Sequence, residues 1–185
     1  MKLYTTPFPQ IQACAIALGT FDGVHTGHRA VIAAAVDAAQ KLHVPSAVWC
    51  FSDLPRNHVA GAARTVPTLT TPEEKVHLIA DLGVDILIMP DPTPELLALS
   101  PEEFADALVT NLHPARVHVG YNYTYGKDAA GTSDTLRELL TSRGIPLTVI
   151  PPVEIGGVPV SSSAIRRLLA SGDTAAAESL LGREL

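Results

Sequence analysis

Residues 13–28 have the sequence ACAIALGTFDGVHTGH, which passes from an apolar run through a glycine-rich turn to a helix start. Every residue from Ala13 to Leu18 is apolar, which is typical of a strand buried on both faces of a parallel sheet. Gly19 begins the turn, and a helix is predicted over Gly27–Leu42. Because a helix start offers unpaired N–H groups and partial positive charge, this junction predicts an anion site.

The rest of the chain repeats this alternation of apolar runs and helical patterns. Four further strands are predicted at Ser46–Phe51, Asp85–Met89, Arg116–Gly120 and Leu147–Ile150. Helices are predicted among them at Pro72–Leu82, Pro101–Asn111 and Ser133–Arg143. Alternating strands and helices predict an α/β fold of the Rossmann-like type, a doubly wound parallel sheet of five strands with helices on both faces.

The last part of the chain departs from this alternation. Val158–Val160 is predicted as a short strand, followed by short helices at Ser162–Ala170 and Thr174–Leu181. Asp53–Pro67 and Tyr121–Thr132 are rich in glycine, alanine and polar residues and are predicted as long loops that carry function. No repeat or linker interrupts the sequence, so a single domain is expected over residues 1–185.

Composition narrows the class of protein. Hydrophobic residues make up 46% and charged residues 17%, which predicts a globular domain. A net charge of −6 argues against a nucleic-acid surface but leaves room for a small anionic ligand held by local groups. No apolar run suits a membrane span or a signal peptide, so we expect a cytoplasmic protein. Cys14 and Cys50 are expected to be buried reduced thiols, with a disulfide or metal pair as the alternative.

Two histidines follow the first strand at a spacing of three. Only Thr26 and Gly27 lie between His25 and His28, and both imidazoles are expected at the helix start. There they could donate hydrogen bonds to a phosphate whose charge grows in a transition state. The segment is neither a Walker loop nor a dinucleotide-binding glycine pattern. A structural use of the two histidines is the alternative.

A second cluster, VSSSAIRR at residues 160–167, has the character of another helix start. Ser162 and Ser163 could turn hydroxyls and N–H groups to phosphate, with Arg166 as a guanidinium clamp. The alternative is a capped helix whose basic residues face solvent.

Together, Gly19–His28 and Ser161–Arg166 resemble the adenylyltransferase (FAD synthetase) module of bacterial bifunctional riboflavin kinase/FMN adenylyltransferases, within the His-x-Gly-His nucleotidyltransferase superfamily. The segments 69–75, 119–132 and 180–183 also match, so the resemblance covers nearly the whole chain. It implies transfer of AMP from ATP to FMN, giving FAD and pyrophosphate, with Mg²⁺ accompanying ATP.

The resemblance also implies roles for individual residues. His25, His28 and Arg166 would be the catalytic residues, and no protein metal ligand is implied. The remaining residues implied in ATP binding are Gly19, Phe21, Asp22, Gly23, Ser162 and Ser163. Those implied on the flavin side are Asn122, Tyr123, Tyr125, Lys127 and Asp128, and Tyr121 is a further aromatic that could stack on the flavin ring.

Two departures from the family pattern bear on the acceptor. Relatives usually carry Phe-x-Pro-His-Pro after the second strand, whereas this chain has Asp53 and Leu54 in place of the first proline and the histidine. The sequence stops at Leu185 with no riboflavin kinase module, so we expect no conversion of riboflavin to FMN by this chain and a separate riboflavin kinase as a partner. The alternatives are transfer of AMP or CMP to another phosphorylated acceptor, a non-catalytic flavin or nucleotide binder, and a structural partner of a kinase.

Overall fold

The computed structural model describes residues 1–59 and 65–185, and its centre is a six-stranded parallel sheet. Two additional two-stranded antiparallel pairs lie outside the sheet. The strands are β1 (Lys2–Tyr4), β2 (Cys14–Leu18), β3 (Ser46–Trp49), β4 (Ile86–Ile88), β5 (Pro114–Gly120), β6 (Thr124–Tyr125), β7 (Gly131–Thr132), β8 (Leu147–Ile150), β9 (Glu154–Ile155) and β10 (Val158–Pro159).

The helices begin where side chains can satisfy their free N–H groups. The side chains of Thr71 and Ser100 each accept a hydrogen bond from the backbone N–H of a glutamate three residues later, and the side chain of that glutamate accepts one from the backbone N–H of the capping residue. Proline is the first residue of both helices, where no N–H is needed. The helices are α1 (Thr26–Leu42), α2 (Pro72–Ala80), α3 (Pro94–Leu97), α4 (Pro101–Leu112), α5 (Ser133–Thr141), α6 (Ser162–Ala170) and α7 (Thr174–Leu181).

The order of strands across the sheet is β1-β4-β3-β2-β5-β8. Successive connections move outward in one direction from β2 through β3 and in the other direction from β5 to β8. The order therefore reverses between β2 and β5, which pair in parallel from Ala15–Arg116 to Leu18–Val119. Ligands of open parallel sheets bind beyond the carboxyl ends of the strands at such a reversal. Here that place is occupied by the segments beginning at Gly19 and Gly120.

Helices cover both faces of the sheet, and every residue of β2 and β3 is buried as a result. On one face, Phe104 and Leu108 of α4 and Leu136 of α5 pack with Trp49 of β3. On the other face, Ile32 of α1 packs with residues of β2, β3 and α2. The two apolar clusters hold the strand ends in a fixed arrangement, and the loops that follow the strands inherit it.

The predicted α/β doubly wound parallel sheet is confirmed, and the strand count of five is wrong. The sixth strand, β1, pairs with β4 at the edge of the sheet through Lys2–Ile86, Leu3–Leu87 and Tyr4–Ile88. It has only three residues and no alternating pattern, so its pairing depends on a partner far along the chain. The predicted helices Pro72–Leu82 and Ser133–Arg143 end earlier, at Ala80 and Thr141.

Short elements lie within segments predicted as irregular. Strands β6 and β7 pair inside Tyr121–Thr132, and a 3₁₀ turn at Pro55–Asn57 lies inside Asp53–Pro67. Residues 60–64 of the latter loop lie outside the described part of the chain. Among the described residues, no helix is long and apolar enough to cross a lipid bilayer.

Candidate active site

The turn from β2 to α1 is built from unusual backbone conformations. Phe21 and Val24 have φ of 47° and 41°, and Gly23 has φ of 84°. Left-handed conformations are costly for residues other than glycine, and a β-branched valine is an uncommon occupant. A Cβ built on Gly19 would come within 2.9 Å of the Phe21 ring, so glycine is required for that close approach. The backbone of the turn is therefore strained, and the buried side chains of Phe21 and Val24 fix it in the core.

The two histidines lie together at the start of α1. His25 caps the helix, and its Nδ1 accepts a hydrogen bond from the His28 backbone N at 3.2 Å. Their rings stack with centroids 3.5 Å apart, and the rings of His28 and Phe21 lie edge to face with centroids 5.3 Å apart. Since Nδ1 of His25 accepts, neutral His25 carries its proton on Nε2, which is a donor. Nδ1 of His28 is buried and has no hydrogen-bond partner within residues 1–59 and 65–185.

Both imidazoles are held neutral. Burial, with a smaller contribution from the charge of Arg183, lowers the pKa of His25 to about 4, against a backbone hydrogen bond that raises it. Burial lowers the pKa of His28 well below its ordinary value, and the charges of His25 and Lys75 lower it further. Two stacked cations would repel each other. The pair therefore offers neutral donors beside the positive end of a helix, an arrangement suited to phosphate oxygens.

Asp22 joins this turn to the later serine and arginine motif. Its carboxylate is buried, accepts a hydrogen bond from the Leu69 backbone N at 2.8 Å and forms an ion pair with Arg166. Arg166 also donates through Nε to the Pro67 carbonyl at 2.7 Å. Ser162 donates to the Asp22 carbonyl at 3.0 Å. The ion pair thereby places the start of α6 beside the start of α1.

A cavity of about 910 Å³ lies at the carboxyl ends of the strands, within the described part of the chain. Its wall brings together most residues predicted for the site. From the nucleotide side these are Gly19, Phe21, His25, His28, Ser162 and Ser163, and from the flavin side Asn122, Tyr123, Tyr125, Lys127 and Asp128. Asp22, Gly23 and Arg166 do not line this cavity. In this structure Arg166 holds the turn through Asp22, and its direct contact with phosphate stays a prediction.

The tyrosines of residues 119–132, here called the glycine-aromatic loop, differ in exposure. Tyr125 is buried, packs against Phe104 and stacks on Tyr123, with their centroids 5.7 Å apart. Tyr121 also lines the cavity and is 44% exposed. Of the three, Tyr121 therefore has the freest face for a flat ligand. The flavin roles of Asn122, Tyr123, Tyr125, Lys127 and Asp128 stay predictions.

The departure at Asp53 and Leu54 has a local explanation. Leu54 is buried, and Asp53 pairs with His58, whose Nε2 lies 2.7 Å from a carboxylate oxygen. Burial raises the pKa of Asp53, and the hydrogen bonds and charge of His58 and its other neighbours outweigh it, so the net shift is downward. Asp53 does not line the described cavity, whereas Arg56 and His58 do. The Asp53 carboxylate therefore makes no direct contact with a ligand in that cavity.

Some residues of the site were missed in the sequence. Arg183, after α7, donates to the Gly23 carbonyl at 2.7 Å, and Lys75 is buried with its ammonium on the Thr20 and Phe51 carbonyls. Trp49 and Phe51 also line the cavity. Lys75 carried a usable signal, because a lysine in the first turn of a helix opposes the helix dipole and needs another reason to be there. Arg183 carried none beyond the resemblance.

Neither cysteine forms a disulfide bond in the described structure. Cys14 and Cys50 are buried and free, and burial raises the pKa of both thiols, that of Cys50 to about 11. Within residues 1–59 and 65–185, no three His, Cys, Asp or Glu side chains gather as a metal-ligand cluster.

The sequence model of the FAD synthetase family matches residues 8–164 of this chain. The chain belongs to the FAD synthetase family. This confirms the resemblance drawn from residues 19–28 and 161–166. The match takes in the β2–α1 turn, both histidines, the glycine-aromatic loop and the start of α6, so it spans the elements that form the cavity.

Relatives within this family are similar over most of the chain. A bifunctional riboflavin kinase/FMN adenylyltransferase of Listeria monocytogenes is 35% identical over 90% of this chain and 53% of its own length. An FAD synthetase of the same organism is 31% identical over 95% of this chain and 71% of its own length. The chain thus spans about half the length of the bifunctional relatives and a larger share of the second protein.

Solved structures agree with the fold. One titled macrolide-efflux protein, from Streptococcus pneumoniae, aligns with a TM-score of 0.84 and 23% identity over 99% of this chain and 60% of its own. A pantothenate synthetase of Thermus thermophilus aligns with a TM-score of 0.57 and 17% identity over 98% of this chain and 81% of its own. At these identities the likeness extends to the fold alone.

The low pKa of His25 predicts a loss of stability in acid. Between the unfolded value near 6.5 and the folded value of about 4, the unfolded chain binds more protons, so the free energy of unfolding falls as pH decreases. His25→Asn keeps a helix-capping acceptor without titrating. From pH 7 to about pH 5, wild type should lose about 2 kcal/mol more than this variant. Urea unfolding at both pH values measures the difference, and equal losses would contradict the assignment.

Arg166→Lys should weaken ATP binding about tenfold, since one ammonium cannot contact the Asp22 carboxylate and the Pro67 carbonyl with the geometry of a guanidinium. Arg167→Lys is the matched control, because Arg167 is exposed on the same helix. Calorimetric titration with ATP compares the two variants. A larger loss in Arg167→Lys would show that the motif has been placed in the wrong register.

Proposed function

We propose that this chain transfers AMP from ATP to FMN, forming FAD and releasing pyrophosphate. The observation that carries the proposal is one continuous cavity lined at one part by His25 and His28 and at another by Tyr121 and Asn122. A nucleotidyltransferase must hold a triphosphate and an acceptor in contact, and a single cavity with two chemically different walls meets that need.

The reaction moves one bond at phosphorus. An oxygen of the FMN phosphate attacks the α-phosphorus of ATP, the bond to the bridging oxygen breaks, and pyrophosphate leaves with the electron pair. The acceptor phosphate is ionised at neutral pH, so the step needs no strong general base. The protein has to place the two anions and stabilise charge that moves toward the leaving group.

Two kinds of hydrogen-bond donor at the cavity support the proposed binding of the phosphates. Neutral His25 and His28 can donate ring N–H groups, with charge repulsion between them avoided. Residues at the starts of α1 and α6, Gly27 and Ser163 among them, line the cavity, where the N–H groups of a helix start can bind phosphate. The groups are fixed in advance by the buried core and the Asp22–Arg166 pair, so little rearrangement is needed when charge develops.

Magnesium belongs to this proposal as part of the substrate MgATP. The carboxylate beside the histidines, Asp22, is already engaged by Arg166 and the Leu69 backbone. Mg²⁺ would therefore be held mainly by phosphate oxygens and water, as is usual for this ion with nucleotides. When bound, it would neutralise charge on the triphosphate.

The source of FMN and the compartment are further parts of the proposal. We infer that FMN comes from a riboflavin kinase, the activity named beside FMN adenylyltransferase in the bifunctional relatives. Two buried free cysteines fit a reducing compartment such as the cytoplasm.

The direct test incubates the protein with MgATP and FMN and identifies FAD by mass. His28→Ala should lower kcat by about ten- to a thousandfold, the range for one lost transition-state contact. His77→Ala is the control, since it removes an exposed histidine from α2. Equal turnover in wild type and His28→Ala would contradict the catalytic role.

The same assay separates the alternatives. A panel with CTP in place of ATP, and with other phosphorylated acceptors or riboflavin in place of FMN, distinguishes acceptor and base. FMN binding without any product would indicate a non-catalytic flavin binder. Turnover of another acceptor without FMN binding would leave only the broader nucleotidyltransferase reading.

Tyr121→Ala should weaken FMN binding by about 5- to 150-fold, corresponding to about 1–3 kcal/mol for one stacked aromatic pair. Tyr121 is chosen because its ring is exposed at the cavity whereas Tyr125 is buried against Phe104. ATP affinity should stay unchanged and serves as the internal control. Fluorescence titration of FMN measures the effect, and an unchanged affinity would exclude stacking by this ring.

A further inference from the structure

Lys75 is a buried lysine outside the motifs that define the site. Its side chain is 2% exposed, and it lies in the first turn of α2, close to the positive end of the helix dipole. Burial and the dipole both disfavour a cation there. A charged ammonium in such a place needs contacts that compensate for burial and for the helix dipole. The groups that make these contacts indicate what Lys75 does.

The ammonium of Lys75 contacts backbone from two loops. Nζ donates to the Phe51 carbonyl at 2.8 Å and to the Thr20 carbonyl at 3.3 Å. Thr20 follows β2 and Phe51 follows β3, and both residues line the cavity. Lys75 therefore ties together the loops at the carboxyl ends of two adjacent strands without lining the cavity itself.

The charge of Lys75 is not cancelled by a carboxylate. No ion pair formed within residues 1–59 and 65–185 includes it. Two carboxylates of the neighbouring loops are already engaged, Asp22 by Arg166 and Asp53 by His58. Two neutral carbonyls compensate a buried ammonium only in part. An anion bound in the cavity would supply the remaining compensation.

We propose that Lys75 is a positioning residue for the triphosphate site, which fixes the Thr20 and Phe51 loops and attracts the nucleotide with a buried positive charge. The inference rests on the proposed binding of ATP phosphates beside His25 and His28. Because Coulomb energy falls off slowly in a poorly hydrated interior, a cation need not touch the phosphates to favour them. The same charge favours the neutral form of His28, consistent with its effect on the pKa of that ring.

The titratable groups around His28 come from few elements. His25 stacks on it from the same helix start, and Lys75 acts on it from α2. Arg183 acts on His25 from the segment after α7. Removing the charge of Lys75 therefore removes a charge that opposes protonation of His28, and His28 should begin to protonate at a higher pH.

The test compares Lys75→Met, which keeps the apolar stem and removes the charge, with Lys75→Arg, which keeps the charge. Lys41→Met is the matched control, because it makes the same chemical change at an exposed lysine of α1. Lys75→Met should raise the Kd for ATP about tenfold or more, Lys75→Arg should recover most of that loss, and Lys41→Met should match wild type. Calorimetry gives the Kd values, and proton NMR follows the His28 ring against pH in the free proteins.

The outcomes separate this proposal from the proposed function. ATP binding by Lys75→Met at wild-type strength, or equal weakness of Lys75→Arg and Lys75→Met, would overturn the role of the charge. If Lys75→Met does not fold, Lys75→Gln is the second neutral variant, with the same expected loss. If wild type itself does not bind ATP, the proposed function fails. The His28 titration then decides on Lys75 alone, and an unchanged pKa in the neutral variant refutes it.

Discussion

The buried ion pair between Asp22 and Arg166 is the contact on which the geometry of the site depends. It joins a turn near the beginning of the chain to a helix 144 positions later, with the two side chains 1% and 13% exposed. Removing one partner of such a pair leaves an uncompensated charge, at a cost of about 3–5 kcal/mol. The pair aligns two helix starts around one cavity. Ser162 reinforces it by donating to the Asp22 carbonyl.

The charge distribution explains how an acidic protein can accommodate the polyanion of the proposed reaction. The chain carries a net charge of −6, yet the groups at the β2–α1 turn are neutral histidines, helix starts, the buried cation Lys75 and the partly buried cation Arg166. The nearby carboxylates of Asp22 and Asp53 are paired with Arg166 and His58. Attraction therefore comes from a few fixed groups in a poorly hydrated cavity, where each has a larger effect than the exposed acids that dominate the total.

The sequence predicted the parts of the fold that local patterns encode. The α1 start followed from the apolar run ending at Leu18 and the glycines after it, and the helix starts at Pro72 and Pro101 followed from their caps. Strand β1 was missed because three residues carry no period. Most of the predicted site residues do meet in one cavity. The ion pair of Asp22 with Arg166 could not be predicted from the sequence, because the fold brings together charged residues that are far apart along the chain and no local spacing marks them.

The packing of α6 and α7 has a consequence for the order in which the protein forms. Thr26 donates to the Leu180 carbonyl at 3.0 Å, Arg183 donates to the Gly23 carbonyl, and Leu181 and Ile165 form one buried cluster that Leu69 packs against. The turn proposed to bind the phosphates is thus held by residues that lie more than 130 positions later in the chain. During synthesis the sheet can begin to assemble while these residues are still untranslated. A nascent chain would therefore complete this turn only after residues 162–183 have been translated, which makes its closure a late and non-local step in the folding of this domain.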